Sequence, residues 1–88
     1  VGLTELVRRT GSGATIDALT VRENDVLALI ARGLSNAAIC DELHLSIKTV
    51  EPVVSSIFAK LGLPTDSASN RRVLAAVMYV RAADRQVT

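Results

Sequence analysis

Apolar residues recur along this chain with helical periods, and polar breaks divide them into separate runs. From Ser35 to Gly62, SNAAICDELHLSIKTVEPVVSSIFAKLG, two such runs are split at His44–Leu45–Ser46, where the chain must turn. In the first, Ile39, Cys40 and Leu43 fall on one helix face; in the second, Val50, Val54, Ile57 and Leu61 recur at four, three and four residues. Ser35 and Ser46 precede these runs as N-caps, because a hydroxyl there can accept from a free backbone N–H. Gly62 supplies the left-handed residue that commonly closes a helix, and Pro64 prevents its resumption. A short helix, a tight turn and a longer helix make a helix-turn-helix, and helices this short need neighbours to bury their apolar faces.

Those neighbours lie on both sides. Thr20 and Glu23 form a capping box that opens a helix carrying Val26, Leu27, Leu29, Ile30 and Leu34, apolar over much of its circumference and ended by Gly33. Arg22 and Arg32 read as solvated rim charges. Beyond Gly62, LPTDSASN reads as a polar loop, with Ser69 or Asn70 capping a last helix. That helix has Val73, Leu74, Val77, Met78 and Val80 on two faces, more than one side of a small core needs. Residues Ala83 to Thr88 are expected to fray. Near the start, Leu3, Leu6 and Val7 stand at helical spacing ahead of Arg8 and Arg9, and the apolar face they make needs a partner, either the domain itself or something upstream. Thr10 to Asp17, TGSGATID, reads as a linker. The expected core is Leu27, Ile30, Ile39, Leu43, Val50, Val54, Ile57 and Leu61.

Composition narrows the class. Eighty-eight residues with 49% hydrophobic content allow one small domain, and with Phe58 and Tyr79 as the only aromatics its core must be aliphatic. Abundant Ala and Leu with two prolines favour an all-α bundle. A net charge of +1 neither demands nor excludes nucleic acid, since a local patch can act without a global excess. The single cysteine rules out an internal disulfide, which suits a reducing compartment. No run approaches the roughly 18 apolar residues of a membrane span. No catalytic constellation is present, so an enzyme is not expected, and no cofactor is implied. His44 falls at a turn, Cys40 on an apolar face as a core filler, and no carboxylate pair completes a metal site. The glycines at 11 and 13 precede no strand–helix unit and make no phosphate loop.

LTVRENDVLALIARGLSNAAICDELHLSIKTV, followed by IFAKLG, resembles the LuxR-type (GerE/NarL-class) helix-turn-helix family, the DNA-binding output domain of bacterial response regulators. The matching residues include Leu19, Thr20, Arg22, Glu23, Gly33, Leu34, Ser35, Asn36, Ile39, Leu43, Ser46, Thr49, Val50, Ile57, Lys60, Leu61 and Gly62, and the match extends over about Leu19 to Ala83. The resemblance implies an all-α, four-helix helix-turn-helix bundle over residues 19–88. Residues 1–18 would be a linker and a remnant of an upstream domain; in the resembled family a phosphorylatable receiver domain lies upstream. It implies a cytoplasmic transcriptional regulator that inserts the helix from about Ile47 to Leu61 into the major groove of double-stranded DNA, as a homodimer through the last helix (Val73, Leu74, Val77, Met78, Val80). On the family pattern Lys48, Thr49 and Lys60 meet the DNA backbone, and Glu51, Pro52, Ser55 and Ser56 lie along the face that meets bases. Arg71 and Arg72 would add positive charge.

The chain departs from the pattern in that segment. Glu51 stands where the family often has a base-reading Lys, and Val53 where it often has His. Glu51 can accept from a cytosine amine, although phosphates repel it. Pro52, six residues past Ser46, deletes one helical hydrogen bond to the Lys48 carbonyl at about 3 kcal/mol in a helix interior. Either the helix kinks there or it begins later, with Pro52 near its first turn. These departures support one alternative, a degenerate helix-turn-helix scaffold that now serves dimerisation or protein interaction.

Overall fold

The computed structural model describes residues 16–63 and 68–87, without the side chains of residues 17, 68, 69 and 85–87. The amphipathic run around Leu3, Leu6 and Val7 and most of the linker lie outside the described residues. A 3-10 turn, Ile16–Ala18, leads into four helices: α1 (Val21–Ala31), α2 (Asn36–Leu43), α3 (Ile47–Lys60) and α4 (Ala68–Val87). Among the described residues there is no strand, and the fold is the expected all-α helix-turn-helix bundle.

Local chemistry sets the helix ends. Thr20, in extended backbone, accepts from the Glu23 amide at 3.1 Å, while the Glu23 carboxylate accepts from the Thr20 amide at 2.8 Å, so the capping box is complete. Ser35 caps α2 by accepting from the Ala38 amide at 3.2 Å. Ser46 occupies the cap position of α3 with extended backbone but makes no side-chain cap; its hydroxyl lies 3.2 Å from that of Thr49 instead.

Three of the C-termini share one device. Gly33 (φ 92°), His44 (φ 57°) and Gly62 (φ 66°) are left-handed. In each case the following residue is a leucine whose amide reaches back five residues: Leu34 to the Leu29 carbonyl, Leu45 to Cys40 and Leu63 to Phe58. This is the Schellman arrangement, which folds an apolar residue back onto the helix it closes. It explains Leu63, read as part of a polar loop but only 7% exposed.

α1 lies at the centre, packed against α4 and α3 and more lightly on α2, while α2 packs on α3 and the 3-10 turn on α4. Its buried residues Val26, Leu27, Leu29 and Ile30 meet Ile39 of α2, Val50, Val54, Ile57 and Phe58 of α3, Leu61 and Leu63, and Leu74, Ala75 and Met78 of α4. Seven of the eight expected core residues are buried; Leu43 is half-buried at the edge. α2 is only eight residues long and packs mainly on α3, so Ile39 faces the core squarely and Leu43 and Cys40 flank it.

α4 departs from expectation at both ends. It begins at Ala68, which puts Ser69 and Asn70 inside its first turn instead of at the cap. It also continues to Val87, where fraying is expected, because Ala82, Ala83, Arg85 and Gln86 are good helix formers. Its apolar residues divide cleanly. Leu74 and Met78 are buried at 3% and 8% exposure, while Val73 and Val80 are 53% and 56% exposed with the half-buried Val77 between them.

Replacing Ile57, fully buried, with Ala should cost about 2–5 kcal/mol in urea unfolding, whereas Leu43→Ala should fall at or below the low end of that range. Equal losses at the two sites would mean that the half-buried position of Leu43 is wrong.

Candidate nucleic-acid interface

The period of α3 separates two faces. Val50, Val54, Ile57 and Phe58 turn into the core, and Lys48, Thr49, Glu51, Pro52 and Ser55 are exposed. Lys48, Glu51, Pro52 and Ser55 stand at intervals of three, four and seven residues, so they form one continuous outward stripe, with Thr49 beside it in the first turn. Ile47, the first helical residue, adds a 43% exposed apolar side chain at the N-terminal end. Val53, where the resemblance leads one to expect a histidine, is half-buried and packs against the core. An apolar residue suits that inward-leaning position.

α3 begins at Ile47, with the Val50 amide donating to the Ser46 carbonyl at 3.0 Å. Pro52 is therefore inside the helix, and a later start is excluded. Having no N–H, it cannot serve the Lys48 carbonyl. Lys48 and Pro52 both lie on the exposed side, where water can take over that acceptor. The proline is accommodated because its ring stands in solvent.

Ser56 and Lys60 make contacts within the fold. They lie four residues apart on α3, one turn above the other, and both reach Glu23 of α1. The Ser56 hydroxyl donates to Glu23 Oε2 at 2.6 Å, and Lys60 Nζ donates to Oε1 at 2.8 Å. Glu23, 7% exposed, is the buried charged residue among those described. Lys60, then Ser56, then the Thr20 amide hold its carboxyl at a pKa of about 2, well below the usual value, against the opposing effect of burial. Sequence reasoning saw Glu23 as a capping residue and missed this network. The available signal was the i, i+4 pair Ser56 and Lys60, a hydroxyl and an ammonium that one carboxylate from a facing helix can bridge.

The two arginines of α4 are also engaged. Arg72 Nη1 donates to Asn36 Oδ1 at 2.7 Å and Nη2 donates to the Leu34 carbonyl at 2.6 Å, tying α4 to the loop that opens α2. Arg71 stacks its guanidinium over the Phe58 ring, 5.0 Å from the centroid. Among the described residues no three His, Cys, Asp or Glu side chains gather as a metal site, and no helix is long and apolar enough to cross a membrane. His44 is exposed at its turn and Cys40 half-buried.

A small helix-turn-helix with one helix offering an exposed polar stripe has clear relatives. The family model for bacterial regulatory proteins of the luxR family matches residues 17–78. A putative HTH-type transcriptional regulator, Rv0890c, from Mycobacterium tuberculosis is 45% identical over 47 residues, covering 53% of this chain and 5% of that protein. The response regulator protein VraR of Staphylococcus aureus is 51% identical over 43 residues, covering 49% of this chain and 21% of the relative. The matches thus span a small part of each relative's length.

The depressed pKa of Glu23 has a pH consequence with a definite sign. The folded value, about 2, lies below the ordinary 4.5, so the carboxylate contributes stability above about pH 4.5 that is lost as pH falls toward 2. Unfolding midpoints measured between pH 7 and pH 2 should fall across that window. Glu23→Gln should lower stability at pH 7 and flatten the fall; a variant that tracks the wild type at every pH would remove Glu23 from this role.

Proposed function

The chain belongs to the luxR family of bacterial regulatory proteins, and we propose that it binds double-stranded DNA as the output domain of a two-component transcriptional regulator, reading the major groove with α3. The observation that carries this reading is the outward stripe of Lys48, Glu51, Pro52 and Ser55 on a helix whose other side is fixed in the core. The similarity to VraR, a response regulator, supports a receiver domain upstream and work in the cytoplasm.

In this mechanism the N-terminal half of α3 enters the groove. Lys48 and the Thr49 hydroxyl grip phosphates beside it, which positions the helix without reading sequence. Glu51 accepts from the exocyclic amine of a cytosine, the Pro52 ring meets a thymine methyl, and Ser55 donates or accepts as the base requires. Lys48 and Glu51 offset each other, so the stripe has no net charge. Ser56 and Lys60 act from behind by holding α3 through Glu23; Lys60, its charge balanced there, adds less to phosphate attraction than Lys48.

The homodimer is built on α4. Exposed Val73 and Val80, with half-buried Val77 between them at intervals of four and three, form an apolar strip that a two-fold axis can pair with itself. Leu74 and Met78, grouped with them by spacing, belong to the core and support the strip from beneath.

A second reading is a scaffold that has turned from DNA to protein partners. The specific observation in its favour is that Lys60, Arg71 and Arg72 are all engaged within the fold while Glu51 faces outward. Binding to cognate and scrambled duplexes at two salt concentrations separates the two. If DNA is read, Lys48→Ala weakens both complexes and reduces the log–log salt slope by about one, and Glu51→Lys tightens binding while lowering discrimination. Val73→Glu with Val80→Glu should abolish self-association with the fold intact. No binding of the wild type at low salt, with Lys48→Ala indistinguishable from it, would replace the DNA reader with the protein-interaction module.

A further inference from the structure

Among the described residues four large apolar side chains are exposed: Val21, Ile47, Val73 and Val80. Val73 and Val80 lie on the α4 strip and Val21 opens α1, which leaves Ile47 as the one of the four on α3. It is the first residue of that helix and is 43% exposed. Standing three and seven residues before the buried Val50 and Val54, it continues the apolar side of α3 past the end of the core. It also stands four residues before Glu51 and eight before Ser55, so it begins the ridge that these two exposed residues continue. The apolar side of the helix and its outward stripe thus meet at its leading end, and Ile47 occupies that corner.

We propose that Ile47 is a specificity-determining residue of α3, packing on the C5 methyl of a thymine within two base steps of the base that Glu51 reads. This rests on the DNA reading proposed above and names a contact that reading does not contain. Helical side chains tilt toward the N-terminus, so Ile47 reaches ahead of α3, the end that recognition helices present to base edges. An isoleucine neither donates nor accepts a hydrogen bond. Of the groups displayed in the major groove, the thymine methyl is the apolar one, and it is the group this side chain can bury itself against. Four residues of helix rise about 6 Å and one base step about 3.4 Å, which sets the two contacts no more than about two steps apart. Pro52 lies five residues on, further round the helix than Glu51, and meets a different base. The contact matters because Lys48 and Glu51 offset each other in charge, so discrimination on this face leans on fit.

The test removes the methyl and the side chain separately. A duplex is selected from a random-sequence pool by the intact 88-residue chain, and each of its thymines is replaced in turn by deoxyuridine, which lacks only the C5 methyl. Affinities are measured for the wild type, Ile47→Ala and Pro52→Ala, all three with the same duplexes at one low salt concentration. Both substitutions are at exposed positions, so the core is left as it is. At one thymine, uracil weakens wild-type binding about fourfold, the worth of one buried methyl. Ile47→Ala loses a similar factor on the thymine duplex and binds thymine and uracil alike there, whereas Pro52→Ala keeps the difference. Selective binding in which every thymine–uracil difference is unchanged by Ile47→Ala overturns the inference and leaves the DNA reading standing. Failure of the chain to enrich any duplex overturns both.

Discussion

A single buried carboxylate ties α3 to α1 across their apolar contact. Glu23 sits one turn into α1 and accepts from the Thr20 amide, the Ser56 hydroxyl and the Lys60 ammonium, at 2.8, 2.6 and 2.8 Å. A charge so nearly out of water is tolerable only when its oxygens are satisfied, and here the satisfying groups come from two helices. The interaction therefore does more than cap α1. By taking Ser56 and Lys60 together, it fixes the rotation of α3 about its own axis. With Ser56 and Lys60 turned to α1, Val50, Val54 and Ile57 must face the core, and Lys48, Glu51, Pro52 and Ser55 must face out. Apolar burial alone would set that rotation less sharply, because hydrophobic contact is not directional.

The other constraints work through the turns. Gly33, His44 and Gly62 each adopt the left-handed conformation, and each is followed by a leucine that folds back on its helix. Arg72 adds a brace from α4 to the α1–α2 turn through Asn36 and the Leu34 carbonyl. The turn at His44 uses a side chain where glycine serves elsewhere, at a modest local cost in backbone energy. It leaves α2 short and α3 free to begin at Ile47.

Features set by neighbouring residues were legible in the sequence. The Thr20–Glu23 box, the Ser35 cap, the break at His44–Ser46 and the closure at Gly62 all depend on groups within five positions of one another, and all appear in the fold. The long-range partners were not legible. Glu23 meets Ser56 and Lys60 across 33 and 37 residues, and Arg72 meets Asn36 across 36; the i, i+4 spacing of Ser56 and Lys60 marks a pair that one carboxylate can bridge, but local spacing does not say which carboxylate. The same reason separates Leu74 and Met78 from Val73 and Val80. Spacing shows that α4 has two apolar faces, but only its packing on α1 decides which one is inside. At the candidate interface, the exposure of Lys48, Thr49, Glu51, Pro52 and Ser55 follows from the period of α3, whereas the contacts of Ser56 and Lys60 with Glu23 do not. Pro52 is an intermediate case: its position in the helix interior could be counted from Ser46, but its tolerance depends on its lying on the wet side.

If Glu23 sets the rotation of α3, its interaction with that helix must be energetically coupled and not merely adjacent. A double-mutant cycle on Glu23→Gln and Lys60→Met, read by urea unfolding at pH 7, measures this directly. The account predicts that the two losses fall short of additivity by about 1–3 kcal/mol, since either change alone already breaks the shared contact. Losses that add to within about 0.5 kcal/mol would show that the carboxylate and the ammonium act independently, and that something other than this contact orients the helix.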